Sequence, residues 1–119
     1  LRSIDLAKIG SLLLNNGVYQ QQIILPSTCV QTAKLSHVSF TSGSAPFAVD
    51  GYGYLWWLGQ GNGQRMQMAW GWGGQFIATI PDKNMVVIIN STWQVSGTIS
   101  REQYTAAFNV INDVISAAN

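Results

Sequence analysis

Residues 75–89 read QFIATIPDKNMVVII, two apolar segments joined by a Pro-Asp-Lys-Asn turn. Runs rich in Ile, Val and Phe favour β-strands, and proline suits the first corner of a tight turn. We therefore predict antiparallel strands over residues 75–80 and 85–90. Because residues 85–89 are apolar at every position, that strand is expected to be covered on both faces.

Two further strands are predicted upstream of this pair. Residues 52–58, YGYLWWL, are rich in aromatic side chains, and residues 65–69 alternate between polar and apolar side chains. A glycine-rich turn at residues 59–63 separates them. The Ser, Gly, Pro and Asp content of residues 36–51 predicts a loop.

Two helices are predicted near the start of the chain. Leu6, Ile9 and Leu13 recur at helical spacing, which predicts a helix over residues 4–15 with Ser3 as its N-cap. Residues 26–35 are predicted to form a second, short helix that begins at proline. The intervening residues 18–25 are Gln-rich and predict a small extended segment.

The last helix is predicted over residues 101–117. Ser100 and Gln103 have the spacing of a capping box, in which the two side chains satisfy main-chain N–H groups at a helix start. Apolar residues then recur in steps of four and three. This stripe consists of Tyr104, Phe108, Ile111, Ile115 and Ala118. The expected fold is α+β, an antiparallel sheet with flanking helices.

Composition excludes several classes of function. The chain has 119 residues with a net charge of +1 and no basic cluster, which argues against nucleic acid as a partner. One His, one Cys and five scattered acids leave no plausible metal site. No apolar run approaches the roughly 20 residues of a membrane span. Only 9% of residues are charged and five are Trp, so part of the surface is expected to be covered.

Some individual side chains are assigned ordinary roles. Trp56 and Trp57 are neighbours on a predicted strand, so they are expected to point to opposite sides of the sheet. Both are predicted to be core residues, although one remains open as a ligand contact. His37 is assigned to a loop, and Cys29 is expected to be a small buried apolar residue.

The glycine cluster Ala69-Trp70-Gly71-Trp72-Gly73-Gly74-Gln75 is the most informative candidate site, with three glycines in four residues. Glycines are costly in a strand unless an unusual φ or a close backbone approach requires them. One interpretation is a bulge or turn where strands meet. The other is a wall of an oxyanion hole, in which main-chain N–H groups stabilise a developing negative charge.

Four segments in order resemble the C-terminal half of serine β-lactamase-related hydrolases, which include class C β-lactamases, esterases and 6-aminohexanoate-dimer hydrolases. These segments are SIDLAKIGSLLLNNG at residues 3–17, LP at 25–26, YGYLWW at 52–57 and AWGWGGQFIATIPDKNMVV at 69–87. The resemblance implies the C-terminal portion of a β-lactamase/transpeptidase-like fold, with residues 1–119 incomplete without an N-terminal half. It also favours a periplasmic or secreted location.

The resemblance implies specific site residues. The family's third motif, K-T-G or H-x-G, falls on Trp72, Gly73 and Gly74, which become candidate substrate-binding residues. The main-chain N–H of Gln75 then corresponds to one oxyanion-hole donor. Trp72 replaces the family's Lys or His, which suits a small neutral amide or ester better than an anionic substrate.

The family's nucleophile motifs, S-x-x-K and Y-x-N, are absent from this sequence. The favoured hypothesis is therefore a portion of a serine hydrolase that is active only with its N-terminal half and needs no cofactor. The expected partner is that half or, failing that, a second copy of the chain. One alternative is a Trp-rich module that binds sugar or peptide without catalysis, and another is a structural fragment with no function alone.

Overall fold

A computed structural model of the chain describes residues 1–41 and 48–118. Eleven helices and strands succeed one another along the described residues. They are α1 (Ser3–Leu14), β1 (Val18–Tyr19), β2 (Gln22–Ile23), α2 (Ser27–Ala33), β3 (Val38–Ser39), β4 (Ala48–Tyr52), β5 (Trp57–Gly61), β6 (Gln64–Gly71), β7 (Gln75–Ile80), β8 (Met85–Ile89) and α3 (Gly97–Ala117). A short 3-10 turn, Pro81–Lys83, connects β7 to β8.

The main sheet has six strands in the order β3-β4-β5-β6-β7-β8, and each strand is antiparallel to its neighbours. β1 and β2 form a separate hairpin. With α1 and α3 packed on the sheet, the predicted α+β class is confirmed. The strand predicted over residues 75–80 has the predicted bounds, and the predicted strand at 85–90 ends at Ile89.

The strand predicted over residues 52–58 is wrong, because the chain reverses within it. Tyr52 ends β4, Trp57 begins β5, and the Gly53 N–H donates to the Trp56 carbonyl at 2.8 Å between them. Leu55 has a φ of 66°, which an aromatic-rich pattern does not reveal. The predicted loop at residues 36–51 accordingly contains β3 and the start of β4, while residues 42–47 lie outside the described part.

The main core lies between the sheet and α3. Alternate residues of the central strands face this helix, including Met66, Met68, Phe76 and Ala78, all at most 2% exposed. Four members of the predicted helical stripe fill the other side of this core, whereas Ala118 is exposed just beyond the end of α3. Its members Phe108, Ile111 and Ile115 are buried, and Tyr104 packs against them half-buried.

The opposite face of the sheet carries α1, which packs across β7 and β8. Gly10 makes this close approach possible, because a Cβ there would lie 2.5 Å from a methyl carbon of Val86. Ser3 is the first helical residue and not the N-cap, a position taken by Arg2. The Ser3 hydroxyl instead accepts a hydrogen bond from the Asn90 amide at 2.7 Å.

The predicted start of the last helix is also wrong. α3 begins at Gly97, one turn earlier, and its N-cap is Ser96, whose hydroxyl accepts from the Ile99 N–H at 3.4 Å. Ser100 is therefore inside the helix and only 1% exposed. A capping box at this position is excluded, since Ser100 has a different partner described below.

An open apolar cavity of about 360 Å³ lies between α1, α2 and the sheet. Trp56 lines this cavity, whereas Trp57 packs against the α3 core, so the two side chains occupy opposite sides although only Trp57 belongs to a strand. Both are half-buried rather than fully buried core residues. Cys29 also borders the cavity and is exposed rather than buried, because α2 turns the neighbouring Val30 into the interior instead. Within the described residues, no helix is both long enough and apolar enough to span a membrane.

Candidate functional site

The glycine cluster forms the turn between β6 and β7. The Gly74 N–H donates to the Gly71 carbonyl at 3.3 Å, and Gln75 begins β7 opposite Gly71. Gly73 and Gly74 have φ values of 78° and 83°, in the region that L-residues rarely adopt. The interpretation of this cluster as a turn is thus confirmed.

Ser91 holds one side of this turn by hydrogen bonds. It lies two residues after the end of β8. Its hydroxyl donates to the carbonyls of Gly73 and Gly74, at 2.5 and 2.8 Å. The Gln75 side chain pairs with the Ser91 main chain in both directions. Its amide nitrogen donates to the Ser91 carbonyl, and its oxygen accepts from the Ser91 N–H at 3.1 Å. The Gln75 side-chain amide and the hydroxyl and main chain of Ser91 are therefore engaged in holding the turn.

The first turns of α3 fasten the other side. The Gly73 N–H donates to the buried Ser100 hydroxyl at 2.9 Å. The Gln103 amide, with its nitrogen oriented toward the turn, donates to the carbonyls of Gly73 at 2.8 Å and Thr92 at 3.0 Å. The two residues that the sequence pattern assigned to a capping box thus bind the glycine turn.

Packing explains why glycine is needed here. Gly73 and Gly74 are buried, and a Cβ on Gly73 would lie 2.7 Å from the Thr92 carbonyl oxygen. A Cβ on Gly74 would lie 3.1 Å from the main chain at Gln103 and Tyr104. The small residues let α3 and residues 92–93 approach the turn closely.

Trp72 is the side chain that the turn presents to solvent, with 60% of its surface exposed. It borders a cavity of about 270 Å³ whose other walls are aromatic or polar. The lining residues besides Trp72 are Trp57, Trp70, Gly71, Ser100 and Tyr104. Trp70 is the centre of this wall, with its ring 5.7 Å from that of Trp57 and 5.2 Å from that of Tyr104. Sequence reasoning did not identify Trp70 or Tyr104 as site residues.

One main-chain donor of the turn is left without an internal partner. Gly73 and Gly74 use their N–H groups internally, as described above. The N–H of Trp72 has no hydrogen-bond partner among the residues that the structure describes. Sequence reasoning assigned the donor role to Gln75 only, because a free N–H in a turn is visible only once the neighbouring bonds are known.

The turn carries no titratable side chain, and the pKa values that are clearly displaced belong to α1 and α2. A hydrogen bond from Arg2 lowers the pKa of Asp5, whose carboxylate in turn raises the pKa of Lys8. Burial lowers the pKa of Lys34 at the end of α2. Acid–base chemistry at the turn would therefore require groups from elsewhere.

The other candidates lie apart from the turn. His37 stacks on Tyr54 with ring centroids 4.1 Å apart, and its Nε2 is 2.8 Å from the Thr32 carbonyl. It therefore packs between α2 and the turn that follows β4. In residues 1–41 and 48–118, no group of three or more His, Cys, Asp or Glu could hold a metal ion.

Replacing Ser100 by alanine tests how the turn is held. The Gly73 N–H would lose its buried acceptor, which typically costs about 1–3 kcal/mol. We expect Ser100→Ala to lower the free energy of unfolding in urea by that amount. Thr105→Ala, at an exposed position of the same helix, is the control and should change stability by less than about 0.5 kcal/mol. Equal stability of the two variants would contradict the assigned role of Ser100.

No protein-family model matches the chain, and a search of curated proteins also returned no match. Among solved structures, the chain is similar to a protein described as a 6-aminohexanoate-dimer hydrolase from Bacillus anthracis. The TM-score is 0.64 with 25% sequence identity, and the match covers 97% of this chain. The chain spans 29% of the length of that protein. The fold is therefore that of part of a β-lactamase-like hydrolase.

Proposed function

We propose that this chain is the C-terminal portion of a serine hydrolase that cleaves amide or ester bonds. The single observation that carries the proposal is the structural match over 97% of the chain to a protein described as a 6-aminohexanoate-dimer hydrolase. The ordered sequence segments that resemble β-lactamase-related hydrolases support the same conclusion. In this proposal the remaining portion of the hydrolase supplies the nucleophilic Ser and its Lys.

The turn at residues 71–74 forms one wall of the proposed substrate cleft. Trp72 contacts the substrate, because it is exposed and borders the aromatic cavity. Its indole offers a large apolar surface and one N–H donor but no positive charge. A small neutral amide or ester fits this wall better than an anionic substrate. Gly73 and Gly74 shape the wall by allowing the turn to adopt positive φ.

The main-chain N–H of Gln75 is the proposed oxyanion-hole donor, as the resemblance to the family implies. Such a donor works because it is held in place before charge develops on the substrate oxygen. The paired hydrogen bonds between the Gln75 side chain and Ser91 provide this rigidity. The unpartnered N–H of Trp72, three residues earlier, is a second candidate donor.

A serine-directed fluorophosphonate tests the proposal directly. Covalent acyl transfer needs a nucleophile activated by an adjacent base. In this chain, the hydroxyls of Ser91 and Ser100 bind the main chain of the turn instead. We expect no mass adduct and no chromogenic ester turnover with the isolated chain. A longer polypeptide that includes the preceding coding region should form one adduct on a Ser outside residues 1–119.

Labelling of the isolated chain and labelling of the longer polypeptide test different parts of the proposal. A stoichiometric adduct on any Ser of the isolated chain would show that the nucleophile lies within it, against the proposal. A longer polypeptide that folds but forms no adduct and turns over neither amides nor esters would exclude the hydrolase function altogether. Trp72→Ala in the longer polypeptide is expected to raise KM with little change in kcat, since Trp72 contributes binding rather than chemistry.

Exposed tryptophans favour a second candidate, a binding module without catalysis. Trp72 and Trp93 are 60% and 66% exposed, and exposed aromatic rings commonly stack on sugars or peptides. Titration of the isolated chain with soluble oligosaccharides, followed by tryptophan fluorescence, tests this function. Saturable quenching that Trp72→Ala abolishes would support the module, and an unchanged spectrum would exclude binding of those sugars.

A further inference from the structure

The aromatic cavity beside the glycine turn has the composition of a cation-binding cage. Four of its six lining residues carry large aromatic rings, namely Trp57, Trp70, Trp72 and Tyr104. None of the described residues that line it is charged. The face of an aromatic ring carries negative potential and attracts a cation that lies within about 6 Å of the ring centroid. The cavity therefore offers attraction to a positive charge without an acidic side chain.

The inner rings meet at steep angles and do not lie parallel to one another. Trp70 is inclined at 56° to the Trp57 ring and at 70° to the Tyr104 ring. The corresponding centroid distances are 5.7 and 5.2 Å. Rings at such angles can contact one small group from different directions, which a parallel stack cannot do.

Trp72 supplies the wall on the solvent side. Its ring reaches from the glycine turn to the start of α3, where its Cη2 lies 3.8 Å from the position that a Cβ on Gly97 would occupy. The side chain is nevertheless 60% exposed, so much of the ring surface is free to contact a ligand. The fourth ring can therefore be removed with little disturbance of the core.

Hydrogen-bonding capacity decides which cation fits this cavity. The Ser100 hydroxyl already accepts from the Gly73 N–H, and the Gly71 carbonyl accepts from the Gly74 N–H. A primary ammonium carries three N–H donors, and each of them needs an acceptor once it leaves water. A quaternary ammonium has no N–H donor and presents only methyl groups to the rings. The volume of about 270 Å³ leaves room for such a group.

We propose that this cavity binds a quaternary ammonium group, such as the trimethylammonium head of choline. The proposal goes beyond the proposed hydrolase function. It does not depend on which bond is cleaved, because all four rings belong to this chain. A neutral ligand of the same shape would make the same apolar contacts but would lack the cation–π attraction. The charge of the ligand is therefore the property to test.

Titration of the 119-residue chain with choline and with 3,3-dimethylbutan-1-ol tests the site. The alcohol has the shape of choline, with an uncharged carbon in place of the nitrogen. At constant ionic strength, choline is expected to shift the indole N–H signals of Trp57, Trp70 and Trp72 saturably in NMR spectra. The alcohol is expected to bind about fivefold or more weakly. Equal affinities would overturn the proposal by showing that apolar contact alone is responsible, and so would the absence of saturable choline binding.

Trp72→Ala and Trp93→Ala in the same chain locate the binding site. Trp93 is the matched control, because it is 66% exposed and is not among the residues that line the cavity. Both side chains are exposed, so neither variant is expected to disturb folding. Trp72→Ala is expected to weaken choline binding about fivefold or more, Trp72→Phe should recover part of the loss, and Trp93→Ala should have no effect. Unchanged affinity in Trp72→Ala would contradict the assigned cavity.

The fluorophosphonate experiment is scored independently of choline binding. Choline binding to this chain, together with a longer polypeptide that forms no adduct and has no turnover, would reject the hydrolase and leave the cation site standing. An adduct in the longer polypeptide without choline binding to this chain would do the reverse.

Discussion

Gly73→Ala is expected to lower the free energy of unfolding by about 3 kcal/mol or more. Two costs combine at this position. The φ of 78° is unfavourable for alanine by about 1–2 kcal/mol. The added Cβ would also lie 2.7 Å from the Thr92 carbonyl oxygen, so the main chain must shift and strain the bonds that Ser91 and Ser100 make to Gly73. Urea unfolding followed by tryptophan fluorescence measures the effect.

Gly63→Ala is the matched control for this experiment. Gly63 has a φ of 76°, almost the same as Gly73, but nothing lies within 4 Å of its added Cβ. The control therefore carries the backbone cost alone, about 1–2 kcal/mol. The difference between the two variants isolates the packing of the turn against residues 92–93. Equal losses of stability would show that this packing contributes nothing.

Converting the Gln75 N–H, the proposed oxyanion-hole donor, into an ester oxygen in the proposed longer hydrolase is expected to lower kcat by about 10²–10³-fold, the usual cost of one such donor. A side-chain substitution cannot test this donor, because the N–H belongs to the main chain. Gln75→Ala would in addition release Ser91, whose main chain pairs with the Gln75 amide. Semisynthesis of the ester variant, followed by steady-state kinetics on an amide substrate, provides the measurement.

Two further ester variants serve as controls for the change in kcat measured with the Gln75 ester. An ester at Ile77, in the same strand, measures the cost of disturbing β7 without removing a proposed oxyanion donor. An ester at Trp72 tests the unpartnered N–H of the turn. A large loss of kcat at Trp72 with none at Gln75 would transfer the oxyanion role to Trp72. Equal losses at Gln75 and Ile77 would assign the effect to the sheet.

The sequence was sufficient to predict those helices and strands whose formation depends mainly on neighbouring residues. β7 and β8 were predicted nearly residue for residue, because their apolar runs flank a turn that contains proline. The apolar stripe of α3 was also predicted, because a helix that packs on a sheet must carry apolar residues along one face. The reversal at residues 53–56 was missed because Tyr, Leu and Trp are strand-favouring residues, and their side chains do not disclose a positive φ at Leu55.

The candidate site could be located from the sequence, but its construction could not be predicted. Clustered glycines marked the turn, yet its hydrogen bonds span 16–18 residues to Ser91 and 27 residues to Ser100. Ser100 and Gln103 also satisfied a local capping pattern, which concealed their tertiary role. Capping depends on neighbouring residues, whereas these contacts depend on where α3 crosses the sheet.

The attachment of the glycine turn to α3 also has a consequence for biosynthesis. A ribosome makes residues 71–74 before it makes Ser100 and Gln103, which hold Gly73 in the finished protein. During translation the β6–β7 hairpin can form early, but its turn lacks these partners until the first turns of α3 have left the exit tunnel. The wall of the proposed cleft is therefore completed late, and a nascent chain stalled before residue 97 would display the hairpin without a finished site.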